Sequence, residues 1–274
     1  MCEAVRVLHS ALHVEDSGEG GPTLIFLHYF AGSSRAWTPV VSRLEAQRRC
    51  LALDLAGFGR SQTATSRDSV DAHADDVEQA AEERQAGPYI LVGHSMGGKI
   101  AAALAARRPS NLRGLMLLAP SPLTPEPIDE ADRCDALAAH GDRAVAEALL
   151  GKITCRRLEG REREGVLHDS LNTSSEAWRW WLESGSREDL GERSREITVP
   201  TLLVAGEQDF ALAPDVHRRT AQRLGCGAPP VLIPACGHLV PLEAPDEAAA
   251  LITGFGERIA SAALAGHGGA SPSK

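Results

Sequence analysis

The stretch Tyr89-Ile-Leu-Val-Gly-His-Ser-Met-Gly-Gly-Lys-Ile100 decides the fold, and two chemistries compete for it. Gly93 to Gly97 fits G-x-S-x-G, a strand-to-helix turn that presents Ser95 as a nucleophile. Gly93 to Lys99 fits G-x-x-x-x-G-K, the opening of a phosphate-binding loop. Both need an apolar strand before the glycines and a helix after them, and the flanking residues supply both. A phosphate loop also needs Ser or Thr after its Lys, because that hydroxyl ligates Mg²⁺. Ile100 stands there and cannot coordinate a metal. Lys99 is then read as a helix-face cation, and His94 as a packing residue that points away if Ser95 points in.

A serine is a weak nucleophile at neutral pH. It needs a general base in hydrogen-bond reach, and the base needs an acid to orient it. In elbow folds these follow in the order Ser, acid, His, each just past the C-terminal end of a strand, where sites gather in open α/β sheets. Thr201-Leu-Leu-Val-Ala-Gly-Glu-Gln-Asp209 is an apolar run and a turn ending in Asp209. Val231-Leu-Ile-Pro-Ala-Cys-Gly-His238 repeats the pattern and ends in His238. Glu207 and Asp215 are rivals for the acid; Glu207 is nearer the strand end, and Asp215 suits the first turn of a helix. Among the other histidines, His28 reads as structural, His217 as a surface-helix residue, and His267 as part of the tail. An oxyanion hole takes the N–H after the nucleophile, Met96, and one from the loop after an early strand. Phe30 in His28-Tyr-Phe-Ala-Gly-Ser-Ser34 is the candidate for the second, with Tyr29 the alternative.

With these pieces assembled, the chain resembles the α/β-hydrolase superfamily, in its serine-nucleophile branch with a helical cap. The resemblance rests on HYFAGSS, DLAGFGRS (Asp54 to Ser61), GHSMGG, GEQD and CGHLVPLEAPDE (Cys236 to Glu247). It implies a mostly parallel eight-stranded sheet flanked by helices, with a cap inserted after the sixth strand. It also implies Ser95 as nucleophile, His238 as base and Asp209 as acid. Many relatives carry Gly where this chain has Tyr29, so a bulky residue is expected to narrow the mouth of the site. Asp54 and Arg60, with Gly57 and Gly59, are read as a fold-holding turn near it.

Outward from the elbow, apolar runs alternate with helix-like segments, the α/β signature. Strands are expected at Arg6–Val14, Thr23–His28, Cys50–Asp54, Tyr89–Gly93, Leu112–Ala119, Thr201–Ala205 and Pro230–Ile233. Several are continuously apolar, as in Thr23-Leu-Ile-Phe-Leu27, which suits parallel strands covered on both faces. Helices are expected at Arg35–Glu45, Ser69–Gln85, Gly98–Arg107, Pro214–Leu224 and Asp246–Ala262. The alternation breaks between Ser121 and Ile197, where only helix-like charged segments appear. Residues 1–120 and 198–265 therefore read as the α/β core, 121–197 as the cap, and 266–274 as a disordered tail. Trp178-Arg-Trp-Trp181 holds three of the four tryptophans, in a chain only 4% aromatic. That density reads as an anchor for the insertion or as the lining of an apolar pocket, with Trp178, Trp181 and Tyr29 the candidate substrate contacts.

Net charge is −9, from 28 basic and 37 acidic residues, which argues against nucleic acid or an anionic membrane as partner. No apolar run approaches the roughly 18 residues of a membrane span. No signal peptide is evident at the start, so a cytoplasmic protein is expected. The six cysteines form no C-x-x-C pair and no H-x-x-x-H appears, so neither a metal nor another cofactor is expected. The expected activity is hydrolysis of a small or medium carboxylic ester, or a related thioester or lactone, through an acyl-enzyme. Carbon–carbon bond hydrolysis, perhydrolysis and a slow-turnover ligand receptor with a retained triad stay open, and the sequence is silent on oligomeric state.

Overall fold

The computed structural model describes residues 12–63, 67–225 and 228–267, with no side chains described beyond 262. Its centre is a seven-stranded sheet in the order β1-β3-β2-β4-β5-β6-β7. The strands are β1 (Val14–Ser17), β2 (Thr23–Leu27), β3 (Cys50–Leu53), β4 (Tyr89–His94), β5 (Leu112–Leu118), β6 (Thr201–Gly206) and β7 (Val231–Ile233). All neighbours are parallel except β1, which runs antiparallel to β3. The expected sheet had eight strands; seven lie among the described residues, and most of the expected Arg6–Val14 stretch lies outside them. The first described strand starts at Val14 instead and carries the polar sequence VEDS. An edge strand pairs through its backbone on one side only and needs no apolar run.

The continuous apolar strands form because both faces are covered. Along β2, Ile25 and Leu27 enter one apolar cluster, while Leu24 and Phe26 enter another on the opposite face. The first face is covered by α2 (Val70–Glu83) and α3 (Met96–Ala106), through Val70, Ala74, Ile100 and Leu104. The second is covered by α1 (Thr38–Leu44), the short α9 (Val240–Glu243) and α10 (Pro245–His267), through Val40, Leu44, Val240, Ile252 and Phe255. Each fully buried Leu, Ile or Phe here contributes about 1.5–3 kcal/mol relative to exposure. Helix α10 runs two residues into the stretch expected to be a tail; the rest of that stretch lies outside the described residues.

Between β5 and β6 the chain forms α4 (Glu130–Ala138), α5 (Arg143–Ile153), α6 (Gly160–Asn172) and α7 (Ser175–Glu183). Asp129, Asp142 and Ser174 cap α4, α5 and α7 by accepting N–H groups of the first turn. Trp180 fastens this segment to the sheet layer, its ring 4.2 Å from that of His73 on α2. Lys99, read as a helix-face cation, lies on α3 and is fully buried. Its Nζ donates to the carbonyls of Thr124 (3.3 Å) and Ser186 (3.5 Å), tying α3 to both ends of the insertion, and burial lowers its pKa to about 8. Among the described residues no helix is long and apolar enough to cross a membrane.

Candidate active site

Ser95 sits between β4 and α3 with φ 52° and ψ −117°. A non-glycine residue at this positive φ costs on the order of 1–3 kcal/mol and persists only where its surroundings enforce it. Here they do. The Ser95 N–H donates to the Leu118 carbonyl (3.1 Å), and the Ser95 carbonyl accepts from Gly98, Lys99 and Ser121. The turn can close this tightly because Gly93 and Gly97 lack side chains. A Cβ on Gly97 would lie 2.5 Å from the carbonyl oxygens of Leu27 and His28, and one on Gly93 would lie 2.5 Å from that of Gly97.

Three strand ends converge on this turn. His238, on the loop after β7, places Nε2 3.0 Å from Ser95 Oγ. Its Nδ1 lies 2.9 Å from Asp209 Oδ2, on the turn after β6. Asp209 Oδ1 accepts from the N–H groups of Ala211 and Leu212, both at 2.9 Å. All three residues are buried. Desolvation alone would raise the Asp209 carboxyl, but the His238 charge, the two histidine hydrogen bonds and the Leu212 N–H overcome it and hold Asp209 well below the usual carboxylate range. Burial would lower His238, but the Asp209 charge and hydrogen bond win, and His238 lies above its ordinary 6.5. Of the rivals for the acid, Glu207 and Asp215 make no hydrogen bond to His238 among the described residues, and Asp215 instead pairs with Arg218 on α8 (Pro214–Arg223).

His217 corrects the sequence reading. It was expected on an exposed helix surface, but it is fully buried on α8, with Nε2 3.0 Å from Asp209 Oδ2. Its Nδ1 is buried without a hydrogen-bond partner among the described residues, and its Nε2–H donates to Asp209. Asp209 therefore accepts four hydrogen bonds: two from imidazoles and two from backbone. The available signal was weak: a histidine eight residues past the acid, on the helix that the same turn starts.

The loop after β2 is braced against the elbow. The Gly97 N–H donates to the His28 carbonyl at 3.1 Å. His28 accepts the Leu55 N–H at Nε2 (3.0 Å), which leaves Nδ1 to donate to the Tyr29 carbonyl (2.7 Å). Asp54 accepts the N–H groups of Ser34 (2.6 Å) and Arg60 (2.8 Å), fastening the β2 and β3 loops together. Met96 opens α3, so its N–H has no intrahelical acceptor, and Phe30 lies in the braced loop beside it. His94 stays neutral, its pKa lowered to about 3 by burial, and donates through Nε2 to the His238 carbonyl at 2.8 Å.

Ser95 and His238 open onto a cavity of about 290 Å³, at the small end for ligand pockets. Its walls are apolar and come largely from the insertion: Ile128, Leu150, Leu167, Trp178 and Trp181, with Phe30 from the β2 loop. The Phe30 ring centroid lies 4.9 Å from Trp178 and 6.3 Å from Trp181. Trp178 is held by its Nε1–H, which donates to the Ala136 carbonyl at 3.0 Å. Tyr29 also lines the cavity and packs its ring 5.2 Å from His94. The tryptophan cluster thus divides: Trp178 and Trp181 face the cavity, and Trp180 faces α2. Glu126, half-buried on the loop after β5, is a cavity residue that the sequence reading did not single out.

A family model described as alpha/beta hydrolase fold matches residues 22–148. The chain is 27% identical to a 2-(acetamidomethylene)succinate hydrolase of Mesorhizobium japonicum, over 89% of this chain and 91% of that one. It is 26% identical to a pimeloyl-(acyl-carrier protein) methyl ester esterase of Nitrosomonas europaea, over 87% and 96% of the two chains. Among solved structures, a thermophilic esterase from Thermogutta terrifontis superposes with a TM-score of 0.77 at 25% identity, over 90% of this chain and 93% of that one. The strained serine turn, the strand order and these likenesses agree: the chain has the α/β-hydrolase fold, and they support the α/β-hydrolase superfamily as its family.

Proposed function

We propose that this protein is a serine hydrolase that cleaves small to medium carboxylic esters through an acyl-enzyme. The observation that carries the reading is the continuous path from Ser95 Oγ to His238 Nε2 (3.0 Å) and from His238 Nδ1 to Asp209 (2.9 Å). The relatives named as esterases support the same reaction class. Ser95 Oγ attacks the ester carbonyl carbon while His238 Nε2 takes its proton. The carbonyl oxygen becomes an oxyanion, stabilised by the N–H groups of Met96 and Phe30. Collapse breaks the bond to the leaving alcohol, which takes the proton from His238. Water, deprotonated by His238, then attacks the acyl carbon, and the second collapse releases the acid and restores Ser95. Asp209 stays ionised throughout and stabilises the imidazolium. Helices α4–α7 serve as the cap, and Trp178, Trp181 and Tyr29 contact the substrate.

The size and apolar walls of the cavity favour a short acyl chain. Among the described residues no Arg or Lys lines it, so the succinate derivative in the name of the Mesorhizobium relative would find no lysine or arginine there to pair with its carboxylates. Intact-mass labelling with a fluorophosphonate tests the reading. One adduct is expected on the wild type, none on Ser95→Ala, and labelling at least a hundredfold slower on His238→Ala. Equal labelling of Ser95→Ala overturns it, and a folded wild type that takes no label brings the ligand-receptor reading forward.

A further inference from the structure

Among the described residues the cavity wall carries one acidic side chain, Glu126, and no basic one besides the His238 imidazole. Its surroundings explain how it is held there. Ser121 Oγ donates a short hydrogen bond to Glu126 Oε1, and the Glu126 N–H donates to the Ser186 carbonyl at 2.8 Å. Ser121 is itself anchored to the elbow, its N–H donating to the Ser95 carbonyl at 3.0 Å. The carboxyl is thus fixed by a two-step path from the nucleophile's own backbone. Lys99 and Arg133 are the nearby lysine and arginine, but the Lys99 ammonium is engaged by the Thr124 and Ser186 carbonyls, Arg133 donates to Ser186 Oγ, and neither is among the described residues that line the cavity. Desolvation pushes the Glu126 carboxyl above the ordinary carboxylate range, against the Ser121 hydrogen bond and the charges of Lys99, His238 and Arg133, so its charge is tested at alkaline pH, which favours the ionised form.

Resting on the ester reading, we propose that Glu126 is a specificity-determining residue that selects against acyl groups bearing a negative charge. Among the described residues the remaining lining is apolar apart from Ser95, Ser170, Tyr29 and the catalytic imidazole, so a carboxylate placed away from His238 would meet one like charge and no lysine or arginine. Such a pairing, at the spacing a small cavity imposes, costs enough to lower turnover by about 30-fold. Neutral acyl groups escape this penalty and keep the apolar contacts with Trp178 and Trp181.

The test compares p-nitrophenyl pentanoate with p-nitrophenyl hemiglutarate, which replaces the terminal methyl by a carboxylate. The ratio of their kcat/KM values, neutral over anionic, is expected to be at least 30 for the wild type and to fall at least tenfold in Glu126→Gln. Glutamine keeps an oxygen to accept from Ser121 and removes only the charge. A wild-type ratio near one overturns the proposal whether or not the variant folds, and an unchanged ratio in a folded Glu126→Gln overturns it too. Should the wild type hydrolyse neither ester, the ester reading falls, and aryl ketones carrying the same two acyl groups test the charge selection separately. Their binding, read by quenching of tryptophan fluorescence, is then expected to favour the neutral ketone by a similar factor, and equal affinities overturn the proposal.

Discussion

Asp209, buried, and Glu126, half-buried, are two carboxylates near Ser95, and they are driven in opposite directions. Asp209 accepts from His238, His217 and the N–H groups of Ala211 and Leu212, and its carboxyl is held well below the ordinary range. Glu126 accepts one side-chain hydrogen bond, from Ser121, and desolvation carries its carboxyl upward. Both lose water; only one regains enough donors to replace it. Residue type therefore does not set the behaviour of a carboxylate near Ser95. The number and charge of the donors around it do, and those come from loops that meet only after the sheet has formed.

Several substitutions would break or sharpen this contrast. The largest effect is expected from Asp209→Asn, which keeps the shape but removes the charge that His238 needs. Its kcat should fall by about 10³- to 10⁴-fold, the scale for neutralising a triad acid. A loss under tenfold would mean that His238 is oriented by something else. Next is His217→Phe, which deletes one of the four donors to Asp209. A loss of about tenfold in kcat with KM nearly constant is expected, the scale of one hydrogen bond to a charged group. His217→Gln, which restores a donor, should recover part of it. A fall in KM-dependent rate alone, or no rescue by glutamine, would reduce His217 to packing. The smallest change is expected from Glu126→Gln on neutral esters, where its effect should be far weaker than on the hemiglutarate.

The sequence exposed those parts of the site that depend on local pattern. Gly93, Ser95 and Gly97 announce a tight strand-to-helix turn, and Asp209 and His238 each follow an apolar strand in the required chain order. The strands of the sheet interior were legible because burial on both faces leaves no polar positions. Val14–Ser17 was not, because an edge strand carrying Glu15 and Asp16 has no apolar pattern to read. The burial of Lys99 and His217 was not legible for a different reason. His217 has polar neighbours on α8, whereas Lys99 is the one charged residue of an otherwise apolar α3, and in each case only packing against Asp209 or Ser186 encloses the side chain. Glu126 lies in a proline-rich stretch with no periodicity, and it reaches the cavity only through the path that Ser121 makes to the elbow.

The central claim is that Ser95 is activated by a His238 whose basicity Asp209 raises. Its most direct test is the rate of fluorophosphonate labelling of the wild type as pH is lowered from 9 to 5. His238 must be neutral to take the Ser95 proton, and its pKa lies above the ordinary 6.5. The rate should therefore be flat at high pH and fall with unit slope below an inflection above 6.5, on one adduct per chain located at Ser95. A labelling rate that does not change across this range, or an adduct on any other residue, would contradict the account.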